Sequence, residues 1–131
     1  MGLILSPTGG SIRNDLGGSG YFWAKRGDDK HEHLDFDLPG GPGQNVMAPI
    51  AGPILRVSKP YEDDTTYNGC IVEGSYCGIQ MFYLDPDLSL VGKFVRQGQV
   101  IGTAQDISLK YPSCLPHVHL RVLWFDFTIL L

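Results

Sequence analysis

The three cysteines, Cys70, Cys77 and Cys114, form no Cys-x-x-Cys pair. That spacing excludes a thiolate zinc finger and a thioredoxin-like redox site. No apolar run is long enough to cross a bilayer, so no membrane span is expected. Lys and Arg total 10 against 14 Asp and Glu, for a net charge of −4, and they do not cluster. Such a chain is a poor partner for nucleic acid or anionic lipid, and neither is expected. No window carries an apolar stripe at i, i+3, i+4, i+7, which excludes long helices; at most residues 104–111 make one helical turn. The opening Met1–Pro7 is too short and lacks the basic start of a signal peptide, so no classical signal peptide is expected.

What is abundant is punctuation. The chain has 131 residues with 17 Gly and 9 Pro, and 43% of it is hydrophobic. That length and apolar content suit one folded domain, and the Gly and Pro suit short strands joined by tight turns. Residues 1–18 read as an irregular N-terminal segment and 19–131 as a single domain. Strand signals recur at His33–Leu38, Ile54–Val57, Gly69–Glu73, Ile79–Leu84, Val100–Thr103 and His117–Trp124. Gly74-Ser-Tyr76 reads as a hairpin turn, across which Cys70 and Cys77 have the spacing to meet. The expected fold is all-β and antiparallel. The C-terminal run Trp124–Leu131 is unusually apolar; it reads equally as a final buried strand or as a docking surface in a larger assembly.

All four histidines fall in two clusters. His117 and His119 are two apart in the cleanest alternating segment, so both project from one face of a strand, with Arg121 next in the row. Val118, Leu120, Val122 and Trp124 then form the opposite, buried face. His33 and Asp37 are four apart and, if extended, also share a face, with Asp35 between them and His31 just before. Two such strands side by side bring imidazole and carboxylate groups together. Three protein ligands and an open fourth position are the catalytic pattern for zinc.

The order of the pieces resembles the lysostaphin-type (LytM-like) zinc endopeptidases. The family pattern is His-x-Gly-x-Asp, Ala-Pro-x-x-Gly, Val-x-x-Gly-x-x-Ile-Gly and His-x-His. The matching pieces are His33-Leu-Asp-Phe-Asp37, Ala48-Pro-Ile-Ala-Gly52, Val95-Arg-Gln-Gly-Gln-Val-Ile-Gly102 and His117-Val-His119. Lys59-Pro-Tyr61, Asn68-Gly69, Met81-Phe-Tyr83 and Tyr111-Pro112 resemble the branch that contains leukocyte cell-derived chemotaxin 2. The resemblance implies a hybrid β architecture and Zn2+ held by His33, Asp37 and His119. It also implies that His117 transfers protons beside the metal. The chain departs from the pattern twice. Asp35 replaces the family glycine; it reads as a carboxylate that either tunes the metal or sits in water beside the site, the second being favoured. Tyr83 stands where active peptidases carry a histidine; a tyrosine donates a hydrogen bond to an oxyanion but is a poor base at neutral pH.

The expected function is therefore a zinc metalloendopeptidase acting on the peptides of bacterial cell wall, with His117 and Tyr83 as catalytic groups. Its walls are expected in the loops at 39–45 and 58–69. The alternative is a zinc-binding recognition domain without turnover. A biotinyl, lipoyl or phosphotransfer carrier shares some of these segments, but the Glu73–Tyr76 turn offers no lysine for a prosthetic group. An extracellular or virion-associated place is expected, with delivery by a phage particle, by lysis or by a specialised secretion route.

Overall fold

The computed structural model describes residues 4–12, 14–15, 18–19, 33–126 and 128. Among them there is no α-helix, and every strand pairing is antiparallel. The short strands β1 (Asn14–Asp15) and β2 (Gly18–Ser19) pair with each other. Next come β3 (His33–Asp37), β4 (Asn45–Met47), β5 (Gly52–Ser58), β6 (Gly69–Glu73), β7 (Cys77–Phe82) and β8 (Leu84–Pro86). Then follow β9 (Phe94–Val95), β10 (Val100–Ala104) and β11 (His117–Phe125). Six of them form one sheet in the order β3-β11-β7-β6-β5-β9, and three form a second in the order β4-β10-β8. The expected helical turn at 104–111 is a single 3-10 turn, Ile107–Leu109.

The core lies between the two sheets. Val46, Leu84 and Ile101 of the small sheet join Val72, Ile79, Met81, Val118 and Leu120 of the large one in a single buried cluster. The alternation that made β11 legible decides this. Val118 and Leu120 lie opposite Phe36 and Leu34 of β3, all on the core side. Their odd-numbered neighbours are thereby committed to the other face. Burial of each such side chain contributes roughly 1.5–3 kcal/mol before entropy is counted.

The hairpin between β6 and β7 forms where the turn residues place it, but its register keeps the cysteines apart. Glu73 lies opposite Gly78, so Cys70 faces Met81. Cys70 and Cys77 are free cysteines, and all three cysteines are buried. The described residues before β1 are anchored to the sheets. Leu5 N–H donates to the Pro49 carbonyl, Met47 N–H to Pro7 and Asp37 N–H to Ser11. Ile4 and Ile12 pack on the core. β11 ends at Phe125, which packs against the core, whereas Leu123 and Trp124, the latter expected on the buried face, are exposed past an irregularity in the β7 pairing between Val122 and Trp124. Residues 127 and 129–131 lie outside the described residues.

Gly69 is required by close approach rather than by a turn. A Cβ there would fall 1.7 Å from the Met81 carbonyl oxygen. Gly69→Ala is expected to cost roughly 1–3 kcal/mol or more, read as a lower urea midpoint. Burial pushes the Cys70 thiol up to about 12. The unfolded chain then loses this proton first as pH rises from about 9, so stability falls between pH 9 and 12 by about 1.4 kcal/mol per pH unit from this group. Cys70→Ala should remove that increment of slope in alkaline urea titrations; an unchanged slope would contradict it.

Candidate active site

The face of the large sheet turned away from the core carries the histidines. In the β3–β11 register, His119 lies directly opposite Asp35, His117 opposite Asp37, and Arg121 opposite His33. On the other side of β11, His119 faces Phe82 of β7. The sheet thus brings together two segments more than eighty residues apart in sequence, and period-two alternation aims their polar side chains at one another.

Asp35 is the centre of the cluster. It is fully buried. His119 Nδ1 lies 2.5 Å from one carboxylate oxygen, and His117 Nε2 lies 3.7 Å from the other. His33 Nδ1 lies 2.7 Å from His119 Nε2. The His117 Nδ1 is 2.8 Å from the Leu115 carbonyl oxygen, which only accepts. Nδ1 therefore carries a proton, and Nε2 is the nitrogen turned toward the cluster.

Of the sequence-derived candidates, the structure brings His33, His117, His119 and Tyr83 together. It does not bring in Asp37. Asp37 ends β3; its N–H and carbonyl are engaged by Ser11 and Thr8. Among the described residues its carboxylate makes no hydrogen bond or ion pair. The carboxylate among the imidazoles is Asp35, read from the sequence as solvated. The register is the reason, since it sets Asp35 and not Asp37 across from His119. The spacing His-x-x-x-Asp is also met two residues earlier, by His31 and Asp35, with His33 in the glycine position. His31 lies outside the described residues.

Tyr83 occupies the corner where β7 passes into β8. Its φ is +71°, a left-handed conformation held by non-glycine residues only when their surroundings enforce it. Three backbone hydrogen bonds do so. Tyr83 and Leu84 N–H both donate to the Asn68 carbonyl, and Gln105 N–H donates to the Tyr83 carbonyl. The result is an edge-on contact with the His117 ring at 5.3 Å between centroids. Burial pushes the Tyr83 phenol upward, so at neutral pH it is a hydrogen-bond donor and not a base.

Two loops wall this face. Of the two expected, 58–69 contributes Tyr61 and Tyr67; 105–116, not foreseen, contributes Ile107, Tyr111 and Cys114. Tyr67, Ile107 and Cys114 form a second buried cluster against which Tyr61 and Tyr83 pack. Tyr67 Oη donates to the Asp106 carbonyl at 2.9 Å, and Lys110 Nζ meets Asp64 at 3.0 Å. Cys114 Sγ lies 3.6 Å from His117 Nδ1. The Tyr and Pro residues of these loops were visible in the sequence, but no local period marks which aromatics meet.

No family model matches the chain. Solved structures do. Lysostaphin in solution superposes with a TM-score of 0.57 at 22% identity, over 83% of this chain and 45% of that one. The catalytic domain of the antimicrobial peptidase lysostaphin from Staphylococcus simulans gives 0.55 at 23%, over 85% and 81%. A zinc-containing peptidase from Vibrio cholerae gives 0.57 at 24%, over 89% and 35%. The chain therefore spans less than half of full lysostaphin and most of its catalytic domain. At these identities the likeness establishes the fold: this is a β domain of the lysostaphin-type peptidase architecture.

The Tyr67 hydroxyl ties the two loops to each other. Tyr67→Phe should cost about 1 kcal/mol by urea unfolding, the typical worth of one such bond. A loss below a few tenths would show that the loops do not depend on it.

Proposed function

We propose that the chain is a zinc-dependent peptidase acting on extended peptides, with bacterial cell-wall peptide as the substrate class. The observation that supports this most is the buried Asp35 carboxylate set among His117, His119 and His33 on the sheet of a lysostaphin-like fold.

The donor chemistry fits zinc. Imidazole nitrogen and carboxylate oxygen are its usual ligands. Among the described residues, no three such side chains surround one common point. They bond in series instead: Asp35 to His119, and His119 to His33. Each link joins atoms that share a proton, which a cation displaces when it binds. Asp35 and His119 would hold the metal, with a third donor from His33 or His31. The His-x-x-x-Asp spacing favours His31 for this place. When bound, zinc polarises the peptide carbonyl and makes water a stronger nucleophile.

The remaining steps belong to the chain. His117, its tautomer set by Leu115, takes a proton from the attacking water at Nε2 as the oxygen–carbon bond forms. It then gives that proton to the amine nitrogen as the carbon–nitrogen bond breaks. The Tyr83 hydroxyl donates to the oxygen that gains charge between these events. Loops 58–69 and 105–116, packed on each other, would form one wall along which a thin, extended substrate lies.

A second reading is favoured by Tyr83 itself. The histidine of active peptidases is absent at this position, as in the chemotaxin branch that the sequence resembles. In that case the domain holds zinc and recognises its target without cleaving it.

Metal analysis of the purified, zinc-supplied protein should find about one zinc per chain. Asp35→Asn and His119→Ala should lose it, whereas Asp37→Asn should keep it; His31→Ala and His33→Ala decide the third donor. Metal retained by Asp35→Asn but lost by Asp37→Asn would reject the assignment. The loaded protein should clear a suspension of bacterial wall, and His117→Ala should keep the metal and lose about 10²–10⁴-fold in rate. If wild type clears nothing and Tyr83→His gains hydrolysis, the second reading stands.

A further inference from the structure

We propose that Tyr61 is a positioning residue for the same reaction, holding the Tyr83 hydroxyl by a hydrogen bond so that the Tyr83 proton is presented to the cleft. This rests on the peptidase reading above.

The Tyr61 and Tyr83 hydroxyl oxygens are 2.9 Å apart. Each hydroxyl has one proton. If Tyr83 is to donate to an oxyanion, it cannot also donate to Tyr61. Tyr61 must then be the donor in this pair, and Tyr111, whose hydroxyl also meets Tyr61, must donate to Tyr61. That direction polarises Tyr83 and strengthens its own donation. A bond running the other way would consume the proton that the reaction needs.

The surroundings of Tyr61 suit this role. It comes from the loop between β5 and β6, whose backbone is not held in a ladder at that point. Side chains hold the ring instead. It stacks on Tyr83 at 6.4 Å between centroids and meets Tyr67 and Tyr111 edge-on at 6.2 and 6.3 Å. Lys110 Nζ sits 4.7 Å from its centroid and is itself fixed by Asp64. A cation over the ring face is attracted to its negative quadrupole and so helps to hold the ring in place. The Tyr83 main chain is fixed by its left-handed turn, but that does not set where the hydroxyl hydrogen points. Tyr61 sets it.

Simple packing would require only the ring of Tyr61, so Tyr61→Phe separates the two roles. Wild type, Tyr61→Phe, Tyr83→Phe and the double variant are compared as full-length, zinc-loaded proteins of equal zinc content and thermal midpoint. In wall clearing, Tyr61→Phe should lower kcat about tenfold with KM unchanged, the worth of one hydrogen bond. It should lower kcat no further in the Tyr83→Phe background. Inorganic phosphate, a tetrahedral oxyanion, supplies a readout without turnover. Its Kd by calorimetry should rise about three- to tenfold in each single variant and no more in the double.

Wild-type kcat and Kd in Tyr61→Phe would overturn the proposal, and so would losses that add fully to those of Tyr83→Phe. If zinc-loaded wild type binds phosphate but clears no wall, the peptidase reading fails, and the phosphate cycle alone decides whether Tyr61 acts through Tyr83. If wild type neither binds phosphate nor clears wall, both fail.

Discussion

A carboxylate with no exposure to water is the constraint on which the rest of this structure depends. Burying an ionised Asp35 costs several kcal/mol unless charge and hydrogen-bonding partners replace its water. One such partner is the His119 imidazole, whose Nδ1 lies 2.5 Å from the carboxylate on the strand beside it. Its approach is a matter of register. A slip of one residue between β3 and β11 would turn the histidines into the core and the core valine and leucine into the cleft. The paired hydrophobic residues on the reverse face, Leu34 with Leu120 and Phe36 with Val118, resist that slip. The stability of the core and the assembly of the site are therefore one event, expressed on two faces of the same strands.

The second layer of organisation is the corner at Tyr83. A bulky residue at positive φ stores strain, and this strain is met by hydrogen bonds from both flanking loops. Asn68 is the hub. Its carbonyl takes two backbone donors, its N–H donates to Gln105, and its side chain meets Lys59 and Asp85. The loops that wall the cleft are thus the braces that hold the tyrosine in it. The aromatic cluster of Tyr61, Tyr67 and Tyr111 extends this bracing to the cleft rim. A site built this way is held in place by the fold itself rather than by a ligand.

Much of this was legible along the chain. The alternation from His117 to Trp124 announced a strand with two imidazoles on one face, because side-chain direction in an extended chain has a strict period of two. Gly74-Ser-Tyr76 announced the hairpin, and the absence of any helical stripe announced the all-β class. The same alternation placed His33, Asp35 and Asp37 in one row, but it has no means of ranking them. Which carboxylate meets the histidines depends on the offset between two strands distant in sequence. The likeness to a family pattern allowed two frames, and the sequence reading took the one ending at Asp37. Cys70 and Cys77 show the same limit on a smaller scale, since the turn geometry that kept them apart is not a property of either residue.

The sequence by itself determined the strands, the faces of the strands and the residue types available for chemistry, since these follow from local periodicity and turn preference. Only the tertiary structure decided that Asp35 is the buried carboxylate, that Tyr83 is held in a left-handed turn beside His117, and that Tyr61 reaches its hydroxyl. Those facts arise from strand offset and loop packing, interactions between segments whose separation along the chain leaves no periodic trace in either one.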